Sequence, residues 1–166
     1  MLLLACLAGV TFAGWLYFRS RQTGLPDGAV LYPDAGRRHS VRPLVSQRYR
    51  LAGRPDYLVN TGHGVVPVEL KSALCPRSGP RDGDIAQVLA YCVLVEDVLT
   101  LRVPCGIIQY SDVQRTVPYG RAERESLIAL LEEIRRSRHH TTLHRSHSHR
   151  ARCRSCGYRS LCGEDL

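Results

Sequence analysis

The sequence predicts an α/β fold, and three observations carry that prediction. Short strand-like runs separated by turn formers crowd the stretch from Tyr49 to Lys71. The apolar stretch Asp84 to Val95 has the length of a buried helix, and Arg121 to Arg138 shows helical amphipathicity. Strands interleaved with helices of this length mark the α/β class.

Taken in order, Tyr49 to Ala52 reads as a strand end, and Gly53-Arg54-Pro55 turns the chain. Asp56 to Val59 is a short strand, Asn60-Thr61-Gly62-His63-Gly64 a hairpin loop, and Val65 to Lys71 the next strand. Cys75 to Gly83 reads as a flexible loop, an ordinary connector or a gate over a cleft. The apolar helix follows. Pro104 to Tyr110 reads as a buried strand, Ser111-Asp112 as a turn and Thr116 to Pro118 as a short pairing strand. In the last helix Leu127, Leu130, Leu131 and Ile134 form the apolar side, and Glu123, Glu125, Glu132 and Glu133 a solvated face.

Chemistry concentrates at Pro55-Asp56 and Glu69-Leu70-Lys71. Side chains alternate along a strand, so Glu69 and Lys71 share a face, and the hairpin brings Asp56 alongside. Two carboxylates, with waters and a phosphate oxygen, suit a hard cation such as Mg²⁺ or Mn²⁺. Such a cation polarises a phosphodiester and acidifies water, while a lysine stabilises the developing charge. The plain alternative is a turn Asp and an exposed Glu-x-Lys pair. On the apolar helix Gln87 and Tyr91 stand four apart on one face. As polar groups in apolar surroundings they need partners, either in the core or at a neighbouring site.

Gly53-Arg54-Pro55-Asp56-Tyr57-Leu58, Pro67-Val68-Glu69-Leu70-Lys71-Ser72 and Gln87-Val88-Leu89-Ala90-Tyr91 resemble, in order, the motifs of RecB-like PD-(D/E)XK nucleases. The tail Cys153-Arg154-Ser155-Cys156-Gly157-Tyr158-Arg159-Ser160-Leu161-Cys162 resembles the terminal motif of the CRISPR-associated iron–sulfur exonucleases. The resemblance implies a restriction-endonuclease-like mixed sheet flanked by helices. It also implies divalent-metal-dependent cleavage of DNA, often of single strands and from an end, and a [4Fe–4S] cluster. By position it makes Asp56 and Glu69 metal ligands, Lys71 the catalytic lysine, Gln87 and Tyr91 active-site support, and Cys153, Cys156 and Cys162 cluster ligands. Many members carry a further metal-binding histidine upstream. His39 is the candidate, although Arg37 to Pro43 does not read as a helix.

Seven cysteines without an extracellular disulfide framework point to a reducing compartment. Cys153, Cys156 and Cys162 form a C-x-x-C-x5-C array with the spacing of a metal or cluster grip. The family's fourth cysteine lies upstream, where this chain has only Cys6 in an apolar run. Cys75 and Cys105 are the candidates for a fourth ligand, or His147 or His149 could complete a Cys3His zinc site. Cys92, inside the apolar helix, reads as an inert buried thiol.

Leu2 to Phe18 is apolar apart from Thr11 and is followed by Arg19-Ser20-Arg21. This predicts a single-pass transmembrane anchor with the rest of the chain in the cytoplasm, the alternative being a buried N-terminal helix. The expected organisation is an anchor over 1–21, a Gly/Pro/Arg-rich tether over 22–45, free or partly ordered against the domain, a nuclease core over 46–138 and an Arg/His-rich cysteine tail over 139–166. The core is of ordinary single-domain size.

A formal charge of +8 and a pI near 9.4 suit a polyanionic partner such as DNA. Tail arginines, Arg145, Arg150, Arg152, Arg154 and Arg159 among them, can fork onto phosphates or simply solvate the surface. The run His139, His140, His144, His147 and His149 has the composition of a metal-binding tract, though DNA contact or solubility serves as well. No Gly-rich phosphate loop is present, so cleavage without ATP is the default. The leading expectation is a membrane-anchored metal-dependent DNA exonuclease. The alternative is a weak or inactive nuclease-fold module that holds DNA or an assembly partner, with a zinc or iron–sulfur clip.

Overall fold

A computed structural model describes residues 28–33, 42–139, 144–145, 147–164 and 166. The elements run β1 (Ala29–Pro33), β2 (Leu44–Ser46), β3 (Leu51–Gly53), β4 (Tyr57–Asn60), β5 (Val65–Leu70), α1 (Asp82–Leu99), β6 (Cys105–Gln109), β7 (Gln114–Pro118), α2 (Arg121–Ser137), α3 (Arg150–Arg154) and α4 (Arg159–Cys162). β1 falls within the stretch expected to be a tether.

Five strands form one sheet in the order β1-β4-β5-β6-β7, and β2 and β3 pair separately. Only β5 and β6 run parallel, Val68 opposite Ile107 and Leu70 opposite Gln109. A parallel pair needs a crossover, and α1 supplies it. The remaining pairs are antiparallel, including the β4–β5 hairpin that sets Tyr57 opposite Val68 and Asn60 opposite Val65. The α/β class and the mixed sheet flanked by helices are thus present.

β5 is the central strand, and Val65 to Glu69 are all buried. Covering on both faces explains an unbroken apolar run where a half-exposed strand would alternate. α1 contacts β5, β6 and β7 of the large sheet and both strands of the small one. Its buried residues, Val88, Leu89 and Tyr91 to Val95, therefore follow no single stripe. Each fully buried Val or Leu here contributes about 1.5–3 kcal/mol. Two glycines permit the close approach. A Cβ on Gly106 would lie 2.1 Å from Val88 Cγ1, and one on Gly53 would meet Leu94 at 2.9 Å and the Tyr91 ring at 3.0 Å.

The chain divides into two compact units, Met1–Ile128 and Ala129–Leu166. In α2, Leu127 is buried and Leu131 half-buried, but Leu130 and Ile134 are exposed, so half of the expected apolar side is uncovered.

The expected transmembrane architecture is not retained. No helix among the described residues is long and apolar enough to cross a membrane. Leu2 to Phe18 lies outside the described residues. α1, the longest helix among the described residues, carries Asp82, Asp84, Glu96 and Asp97 and is apolar because it packs inside the fold. The single-pass topology, the membrane as partner and the cytoplasmic placement deduced from the anchor thus have no helix among the described residues to support them.

Candidate active site

The site sits at the carboxyl end of β5, where α1 begins after the intervening loop. Hairpin pairing places the start of β4 beside the end of β5, and Asp56, just before β4, reaches across. Its Oδ2 accepts a 2.7 Å hydrogen bond from the backbone N–H of Leu70. Leu70 points away from the core and is partly exposed, so Glu69 and Lys71 face inward together.

Gln87 links the inward groups. Its Oε1 accepts from Lys71 Nζ at 2.8 Å, and its Nε2 donates to Glu69 Oε1 at 2.8 Å and to the Tyr91 hydroxyl at 2.8 Å. Lys71 Nζ also lies 3.1 Å from Glu69 Oε1. The amide therefore has only one orientation that satisfies its neighbours, oxygen to the ammonium and nitrogen to the carboxylate. Four side chains from β5, the residue after it and α1 make one connected network, as buried polar groups require.

Electrostatics agree with the geometry. Burial raises Glu69 above the ordinary carboxylate range; hydrogen bonding to Lys71 opposes that shift, and the nearby Asp56 charge adds to it. Burial acts to lower Lys71, but its bonds and charges with Glu69 and Asp84 outweigh that, and its ammonium is held above the usual value. Tyr91 is pushed up to about 12, mainly by burial, with the Glu69 and Asp56 charges contributing. Asp56 thus acts electrostatically on both Glu69 and Tyr91.

Two participants were not assigned from the sequence. Asp84, one turn before Gln87 on α1, places Oδ1 3.3 Å from Lys71 Nζ and accepts a 2.7 Å bond at Oδ2 from the hydroxyl of Tyr110. Arg81 stands 4.0 Å from the same Oδ2. The signal for Asp84 was its three-residue spacing from Gln87, which puts both on one helix face. A second signal was overlooked. The chain holds 23 Lys and Arg residues, and Lys71 is its only lysine.

His39 lies outside the described residues. A cation at this site would draw side-chain oxygens from Asp56 and Glu69, which fit a hard ion by type. Among the described residues no group of three or more His, Cys, Asp or Glu is placed to hold a metal ion.

The same observation overturns the tail cluster. Cys153 is buried while Cys156 and Cys162 are exposed, and all are free thiols. They border one open cavity of about 230 Å³ with His144, His147, Arg145 and Arg159. Yet no three donors converge as ligands there, and two of the bordering side chains are cationic. Cys75 and Cys105, the expected fourth ligands, are half-buried free thiols. The backbone N–H of Cys75 is fixed by Asp112, and Cys105 lies in β6. His147 and His149 stack on each other with ring centroids 6.4 Å apart. The expected [4Fe–4S] cluster, its zinc alternative and the cysteine-rich clip are withdrawn. Cys92 is buried, and burial pushes its thiol far up, consistent with an inert packing group.

The family model for the PD-(D/E)XK nuclease superfamily matches residues 11–163. The chain belongs to this superfamily. Among solved structures, that of SSO0001 is similar at 16% identity, with a TM-score of 0.47. The match covers 69% of this chain and 52% of that one, so the chain spans about half the length of SSO0001. No curated protein matches. The expected membrane-anchored metal-dependent exonuclease, taken whole, does not stand, since no spanning helix and no multi-ligand metal cluster occur among the described residues.

Proposed function

We propose that this chain is a nuclease-fold module that binds DNA, its pocket of Asp56, Glu69, Lys71 and Gln87 directed at a backbone phosphate and cutting weakly or not at all. The observation that carries this reading is the closed network around Lys71. Its ammonium is engaged by Glu69, Gln87 and Asp84, and Glu69 Oε1 accepts from both Lys71 and Gln87. A phosphate oxygen would enter by replacing one of these acceptors at the ammonium. A cation there would compete with Lys71 for Glu69, and no third carboxylate among the described residues is placed to join Asp56 and Glu69. Hard cations bind tightly when several oxygens are preset, so retention here leans on water and substrate oxygens. The charge of +8 favours a polyanion.

Within the superfamily we favour the RecB-like branch, on Gln87 and Tyr91 four apart on the helix that follows the Glu69–Lys71 strand. A second reading, divalent-metal-dependent deoxyribonuclease activity, is favoured by the convergence of Asp56, Glu69 and Lys71. A bound Mg²⁺ or Mn²⁺ would supply Lewis-acid activation of the phosphate. Asp56 and Glu69 would hold it, and Lys71 would steady the phosphate charge.

Fluorescence anisotropy with single-stranded and duplex oligonucleotides tests the module. Binding without divalent cation that weakens in Lys71→Ala is the expected result, and no binding at moderate salt would refute it. The same mixtures given Mn²⁺ or Mg²⁺ test cleavage. Efficient turnover lost in both Asp56→Asn and Lys71→Ala would replace the module reading with the enzymatic one.

A further inference from the structure

We infer that Asp84, tethered by Tyr110, is a positioning residue that keeps the Lys71 ammonium aimed into the pocket when Glu69 turns to another partner. The inference deepens the proposed function and rests on the pocket being directed at a phosphate.

Three observations support it. First, Lys71 Nζ has two anionic neighbours on different elements, Glu69 on β5 at 3.1 Å and Asp84 on α1 at 3.3 Å. Glu69 is the one with competing duties, since its Oε1 also takes Gln87 Nε2. Second, Asp84 is held from behind. Its second oxygen takes the hydroxyl of Tyr110, which is only 1% exposed and has no freedom to follow a moving partner. Third, the backbone beneath both is fixed. The N–H groups of Asp84 and Ile85 donate to Arg81 O, Lys71 N–H donates to Gln109 O at 2.8 Å, and Tyr110 N–H donates to Val113 O. The ammonium is therefore held between carboxylates on two elements, of which Asp84 is anchored from behind by a fully buried tyrosine. A charge-assisted bond between fixed elements restricts a long, flexible lysine far more than one acceptor alone. Tyr110, in turn, joins the end of β6 to the first turn of α1, so the clamp spans the crossover itself.

Because Lys71 is the chain's only lysine, [¹⁵N]lysine labelling of the full chain yields a single side-chain ammonium signal. In mildly acidic buffer this signal is expected to be sharp and protected in the wild type. It should be lost or weakened several-fold in Asp84→Asn and recovered in part by Asp84→Glu. Asp82→Asn removes a charge from the same helical turn without touching Lys71 and should leave the signal unchanged. A wild-type signal in Asp84→Asn, or an equal loss in Asp82→Asn, overturns the inference. Circular dichroism checks folding. Should Asp84→Asn fail to fold, Tyr110→Phe decides, with a weakened signal expected and an unchanged one overturning. Oligonucleotide anisotropy on the same samples separates the two levels. Absence of binding in the wild type sinks the phosphate-directed reading, whereas binding with an unchanged ammonium signal in Asp84→Asn sinks only the role of Asp84.

Discussion

Two regions of this chain carry equally suggestive residue spacings, and only one turns spacing into convergence. In the first unit, Glu69, Lys71 and Gln87 meet, with Asp56 bonded to the intervening Leu70 N–H, because each lies in or directly beside a paired strand or a packed helix. In the second, Cys153, Cys156 and Cys162 keep their C-x-x-C-x5-C interval on α3, α4 and the turn between them, with one thiol buried and two exposed. A strand alternates faces by geometry, so Glu-x-Lys guarantees a shared side. Two helices of five and four residues offer no such guarantee. The interval between ligands becomes a site only when a rigid scaffold converts it into distance.

The strongest challenge to this contrast is to loosen the scaffold beneath the first region. Gly106→Ala places a Cβ against Val88 Cγ1, and overpacking of this kind should cost about 3 kcal/mol in urea denaturation. An unchanged midpoint would mean that β6 and α1 are not pressed together. Gln87→Leu should come next, at about 2 kcal/mol, because the part-buried Glu69 and Lys71 lose a partner while their charges stay. A variant as stable as wild type would show that the network is not a unit.

A pH series separates the two carboxylates that share Lys71. The folded Glu69 holds its proton more tightly than the ordinary 4.5, chiefly through burial. Its contribution is present below that value and is lost as pH rises through the raised folded pKa. Burial would raise Asp84 too, but bonds with Tyr110 and Lys71 outweigh it and hold it below 3.8. Its contribution is present above 3.8 and is lost as pH falls through the lowered value. Glu69→Gln should therefore flatten the stability profile above pH 4.5, and Asp84→Asn should flatten it below 3.8, read as denaturation midpoints across pH. Identical profiles in both variants would contradict the assignment.

The smallest effect belongs to the second region. Replacing Cys153, Cys156 and Cys162 together by Ser should change stability by less than about 1 kcal/mol. Elemental analysis of anaerobically purified protein should find neither iron nor zinc at stoichiometry. A stoichiometric metal lost with the thiols would erase the contrast between the regions.

Most of the fold was legible because local rules governed it. The hairpin loop at Asn60 to Gly64, the strands on either side and the continuous apolar run of α1 all express neighbouring residues. β1 was read as tether because its five residues acquire strand character only by pairing with β4, nearly thirty positions on. The helix at α2 was legible from its periodicity, which reveals an apolar face but not whether anything covers it. Order and spacing singled out Asp56, Glu69, Lys71, Gln87 and Tyr91, and the last four share one hydrogen-bonded network. Asp84 and Tyr110 were not singled out, since their partnership joins opposite ends of the crossover, 26 residues apart in sequence.

The grip of Asp56 on residue 70 is made to a peptide nitrogen, not to a side chain. Nineteen of the twenty standard amino acids supply that N–H, so the separation of the acidic pair tolerates almost any drift at this position. Proline alone would release Asp56 from the end of β5, a single-codon lesion that removes no charged group.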